Sequence, residues 1–115
     1  METQEVKEQQ VEETNKVIIR RRKDKKTGEV EKIGDLLRRN ILRVRVKFDK
    51  YERVVLNSRG TDIASCCNVA ISNDLGSLAG VEKIELRKIS FEAREQNPRK
   101  KMVTIPEMEI TLKKL

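Results

Sequence analysis

Residues 54–75 restrict the fold more than any other part of this chain. Val54, Val55 and Leu56 form a compact apolar run of strand type, which ends at Ser58-Arg59-Gly60. Directly after it, Ile63, Cys67, Ala70, Ile71 and Leu75 recur at helical spacing. Thr61 or Asp62 is placed to cap the helix, because their side-chain oxygens accept free backbone N–H groups. Asn73, Asp74 and Gly76 supply its stop. A strand that turns through one glycine into an amphipathic helix needs a sheet for that helix to pack on, which points to a layered α/β fold.

The other segments extend this unit. "NKVIIRRRK" (15–23) reads as a short strand, Val17–Ile19, running into a charged loop, "DKKTGE", punctuated by Gly28. Taken alone, "ILRVRVKF" (41–48) alternates like a strand. From Val30 onward, however, Val30, Ile33, Leu37, Ile41, Val44 and Phe48 fall at steps of three and four, one stripe on a helix. The longer template predicts a helix over about 30–48. "VEKIELRKISFEA" (81–93) and "MVTIPEMEITLKKL" (102–115) alternate as strands joined by the polar turn 94–101. A slip at Arg87–Lys88 suggests a bulge. Pro106 cannot donate to a ladder, so the last strand is expected at an edge or bulged there. The predicted order is β-α-β-α-β-β: a two-layer α/β sandwich with a four-stranded mixed sheet and two helices.

At 115 residues the chain suits one domain. Its aromatics are Phe48, Phe91 and Tyr51, so the core is aliphatic. The net charge of +7 is uneven. Residues 1–15 hold five glutamates and one lysine, −4, and read as an acidic flexible tail. The other 25 basic and 14 acidic residues leave +11 on residues 16–115. A basic body favours a polyanionic partner. The chain shows no 18-residue apolar run and no secretory leader at its start, so the expectation is a cytoplasmic or nuclear protein without a membrane partner.

Several chemistries lose support. With no histidine, Ser-His and Cys-His pairs are absent, and the chain reads as a non-enzyme. Cys66 and Cys67 are adjacent and the only cysteines. They lack zinc spacing and make no ordinary disulfide on a helix, so they read as small packing residues, with no metal and no cofactor expected. "RGTDIA" lacks the further glycines and the lysine of a phosphate loop.

What stands out is the placement of the basic residues. Residues 16–26 carry seven basic residues and one acid. Arg94, Arg99, Lys100 and Lys101 crowd the turn between the last two strands. Arg59 ends the second strand just before a helix N-terminus, where free N–H groups also favour anions. If the first two strands are parallel, the first loop and Arg59 share one end. Few aromatics imply little base stacking and weak sequence specificity.

The strand "VVLNSRG" with the helix "TDIASCCNVAISNDL", followed by "GVEKIELRKISFEAREQNPRKKMVTIPEMEITLKK", resembles the Alba superfamily of small nucleic-acid-binding proteins, eukaryotic members included, over about residues 16–115. Archaeal members have a shorter first loop with a Gly-Lys pair; "RRRKDKKTGE" is longer and more charged. The resemblance implies a homodimer, or a heterodimer with another Alba-like chain, that binds RNA and/or DNA. On that reading Arg20, Arg21, Arg22, Lys23, Lys25 and Lys26 meet the backbone from the first loop. Arg59 and Gly60 form the central floor, and Arg94, Arg99, Lys100 and Lys101 form an arm. It further implies a role in RNA metabolism, translation control or chromatin, or else assembly within a ribonucleoprotein such as ribonuclease P/MRP.

Overall fold

The structure, a computed structural model, describes residues 14–92 and 102–115. Strand β1 (Lys16–Ile18) is followed by a loop and by helix α1 (Ile33–Phe48). Strand β2 (Arg53–Arg59) passes through a single 3-10 turn (Gly60–Asp62) into α2 (Ile63–Ala70) and a one-turn helix, α3 (Asn73–Gly76). Two long strands, β3 (Ala79–Glu92) and β4 (Met102–Lys114), complete the described chain. The sheet order is β1-β2-β4-β3: β1 lies parallel to β2, and the other pairs are antiparallel. The predicted four-stranded mixed sheet and element order are as observed.

Both longer helices cover one face of the sheet. There Val17, Ile19, Val54, Leu56, Met108, Ile110 and Leu112 meet Leu36, Val44 and Phe48 of α1 and Cys66, Val69 and Ala70 of α2. No described helix covers the opposite, open face. Cys66 is wholly buried in this core, and burial pushes its thiol up to about 11, so it packs rather than reacts.

Four local expectations are corrected. Helix α1 begins at Ile33, not Val30; Val30 is half-exposed and bridges back to Lys23 in the loop. Its buried stripe is Leu36, Asn40, Val44 and Phe48, rotated from the predicted one, with Leu37 and Ile41 at its flank. The sequence pattern skipped Asn40 because it is polar. The second helix is two pieces broken at Ile71, which is exposed, and neither Thr61 nor Asp62 caps it with a side-chain oxygen. The bulge falls between Val81 and Lys83 rather than at Arg87–Lys88. Pairing at 87–88 is regular, so Ile84 and Leu86 point to the helix side while Ile89 and Phe91 point to the open side.

Pro106 is the fourth correction. Its strand is not an edge strand: β4 runs between β2 and β3. Lys114 N donates to Glu52 O, so the even-numbered β4 nitrogens face the β2 side. Pairing with β2 ends at Arg59 opposite Glu107. Pro106 is the next β4 residue, and its nitrogen faces space that β2 has already left. No ladder hydrogen bond is lost.

Candidate nucleic-acid interface

The parallel pairing of β1 with β2 fixes the site. Val17 lies opposite Leu56 and Ile18 opposite Asn57, so both strands finish at the same end of the sheet. The loop after β1 and the Arg59-Gly60 turn after β2 are therefore neighbours. A hydrogen bond joins them, with Arg21 N–H donating to Asp62 Oδ1 at 3.4 Å. That contact occupies an oxygen the sequence assigned to capping.

The loop is built rather than slack. Asp24 Oδ1 accepts from the Lys26 and Thr27 N–H groups at 2.7 and 3.3 Å, closing a tight turn. Gly28 completes it at a φ of 77°, a left-handed conformation that favours glycine. Arg22 and Glu31 exchange hydrogen bonds: Glu31 N–H donates to Arg22 O at 2.8 Å, and Arg22 N–H to Glu31 Oε1 at 3.1 Å. From α1, Arg39 grips Glu31 with two N–H groups at 3.0 and 2.7 Å and also donates to Arg20 O at 3.0 Å. The Arg39 guanidinium, with help from the Arg22 backbone, holds the Glu31 carboxyl at about 2 despite its desolvation.

This scaffold displays Arg20, Arg21, Arg22, Lys23, Lys25 and Lys26, all exposed. None of these six side chains pairs with an acid among the described residues. Beside them Gly60 has a φ of 56° and nothing within 4 Å of where a Cβ would stand, which leaves the backbone approachable. Arg94, Arg99, Lys100 and Lys101 lie outside the described residues. The strands that lead to them are described, and residues 88–92 and 102–106 run past this same end as a two-stranded ribbon.

Arg59 is exposed but not free. Its Nε donates to Glu107 Oε2 at 3.1 Å. Arg87 Nε donates to Glu107 Oε1 at 2.7 Å, and Asn57 Nδ2 to Oε2 at 3.1 Å. Arg87, Asn57 and Arg59 together hold the Glu107 carboxyl at about 2. Glu109 accepts from Lys16, Asn57 and Arg87 in the same way. Burial raises its pKa, yet Lys16 and these partners leave the net shift downward. Sequence reasoning missed Arg87, Glu107, Glu109 and Lys16 as a unit, because the register that joins them is invisible before the strands are paired.

Among the described residues, no group of three or more His, Cys, Asp or Glu side chains comes together to hold a metal. No described helix is long and apolar enough to cross a membrane.

No protein-family model matches the chain, and no curated protein does. A search of solved structures finds Alba from Thermoplasma volcanium at a TM-score of 0.56 and 16% sequence identity, covering 85% of this chain and 98% of that one. This chain has an Alba-like fold. Within the Alba-like frame, the long charged loop after β1 and the Arg59-Gly60 turn occupy one end of the sheet, beside the β3–β4 ribbon.

Proposed function

We propose that this Alba-like chain is a non-catalytic nucleic-acid-binding protein of low sequence specificity. One observation carries the reading: parallel β1–β2 pairing gathers six exposed cations, none in an ion pair among the described residues, beside the Arg59-Gly60 turn. Exposed cations clustered on one loop suit a phosphate backbone, which every sequence shares. The sequence between β3 and β4 adds four further cations, Arg94, Arg99, Lys100 and Lys101. In cells the reading places the protein in the cytoplasm, the nucleus or both, acting on RNA or on chromatin.

The test is a salt titration of binding to duplex DNA and to single-stranded RNA. If about six phosphates are neutralised, log K falls against log salt with a slope near −5 on duplex. A flat salt response overturns the reading.

A dimer belongs to the same reading. On the helix side of edge strand β3, Val81, Ile84 and Leu86 are 46, 60 and 70% exposed, because neither longer helix reaches that far across the sheet. An exposed apolar strip on an edge strand is a liability for a monomer and an interface for a pair. A second copy is the expected occupant. Sedimentation of the purified chain giving twice the 13.4 kDa mass supports the homodimer. A monomer that pairs only with another Alba-like chain favours the ribonucleoprotein-subunit alternative.

A further inference from the structure

The open face of the sheet carries a second charged surface, which meets the loop end at Arg59. Strand alternation puts Lys16, Asn57, Arg59, Arg87, Glu107 and Glu109 on this face. The signs are layered. The side chains of Lys16, Arg59 and Arg87 are 47, 61 and 47% exposed, while those of Glu107 and Glu109 are 10 and 14% exposed. Glu107 and Glu109 sit low with these cations above them, while Glu85, opposite Glu109 on the same face, is exposed and paired with Lys83 at 3.5 Å. Around Glu107 and Glu109 three cations answer two carboxylates, and Arg59 commits only its Nε–H, leaving four N–H donors for a ligand.

Further along the same face the surface changes character. Ile89 pairs with Ile105 and Phe91 with Val103, continuing the row that begins at Arg87 and Glu107. The other side of the ribbon is more polar, with Lys88 opposite Pro106 and Ser90 hydrogen-bonded to Thr104 at 3.0 Å. Phe91 is 46% exposed and stands four residues from Arg87, roughly 13 Å along the strand. From Lys16 to Phe91 the row runs eight residues along the strands, about 26 Å.

Resting on the nucleic-acid reading above, we propose that this open face is a track for a single strand of nucleic acid, with Lys16, Arg59 and Arg87 on its phosphates and Phe91 stacked on one base. The combination is that of single-strand binders: fixed cations following the backbone and an aromatic ring offered to a base. A duplex keeps its base faces inside the stack and gives Phe91 nothing to lie on. Preset guanidinium groups, held by Glu107 and Glu109, lose little freedom when phosphates arrive. Stacking accepts any base, so the track is consistent with low specificity.

The chain has no tryptophan, so Phe91→Trp places one indole reporter at the stacking position. Titration with a 15-nucleotide uridine RNA is expected to quench that indole, whereas a duplex of equal length leaves it bright. By fluorescence anisotropy, Phe91→Ala and Phe91→Leu should each weaken uridine-RNA binding roughly tenfold, with Phe91→Tyr close to wild type and duplex binding within twofold. A thermal melt like that of wild type shows that Phe91→Ala still folds. Wild-type binding to the single strand with neither quenching nor loss in Phe91→Ala overturns the track alone. Equal losses on duplex and single strand overturn it in favour of a general arm contact. No binding of either probe by the wild-type chain overturns the track together with the broader reading.

Discussion

Arg59 and Glu107 face one another from neighbouring strands, and the Arg59 Nε–H donates to Glu107 Oε2 at 3.1 Å, while Arg87 from the other side of β4 takes the second oxygen at 2.7 Å. One low-lying carboxylate therefore sets the position of two cations from different strands.

That relationship makes folding acid-sensitive. The Glu107 and Glu31 carboxyls are each held at about 2, against 4.5 when unperturbed. Their contribution is complete above the unfolded value and is lost as pH falls from about 4.5 toward 2. Urea midpoints should be level between neutral pH and about 5 and drop below it. Glu107→Gln should start lower at neutral pH and decline less steeply. Parallel declines for wild type and variant would remove Glu107 from the account.

The loop cations should be counted by salt. Arg21→Ala combined with Arg22→Ala should reduce the slope of log K against log salt by about 2 on duplex DNA, since each phosphate contact contributes near 0.9. Lys25→Ala with Lys26→Ala should do the same. Loss of affinity at unchanged slope would show that these side chains do not touch phosphate.

Gly60 is expected to matter through its backbone alone. At a φ of 56° with open space around the missing Cβ, Gly60→Ala meets no clash and adopts the left-handed conformation at a cost of about 1 kcal/mol. In a domain of this size that lowers Tm by roughly 4–8 °C. Gly60→Asn should lose less, because asparagine tolerates this region better. Calorimetry of the two variants checks the order.

Asn40 is a buried amide in an otherwise aliphatic stripe. Its Nδ2 donates to Leu36 O at 2.9 Å, and its Oδ1 accepts from Arg43 at 3.0 Å, which also donates to Ile18 O at 3.3 Å. Through Arg43 it ties α1 to the end of β1. Asn40→Ala should cost roughly 1–3 kcal/mol in chemical denaturation. An unchanged midpoint would mean that the tie carries no energy.

The order of elements was legible because each carries its own period: threes and fours from Ile33 to Phe48, and twos in both closing strands. The neighbourhood of the first loop and Arg59 was legible too, since it needs only parallel β1 and β2. What escaped depends on pairing. Arg87 looks like any surface arginine until register sets it opposite Glu107. Val30 fits the helical stripe by spacing, yet the Lys23 bridge draws it into the loop. Pro106 signals an edge truthfully, but only for the stretch where β2 has ended.

The place of β4 in the sheet bears on synthesis. β2 and β3 both pair with β4, and Met108, Ile110 and Leu112 of β4 belong to the core. It is also the latest of these strands to leave the ribosome. Until it emerges, β3 has no neighbour among the described strands, and β2 has β1 alone among them. The β2–β4 pairing is non-local, which slows folding, and unpaired edges invite wrong partners. β2 and β3 therefore cannot be joined in this sheet until β4 is made, and a nascent chain halted before residue 108 carries the basic loop without the strand that joins them.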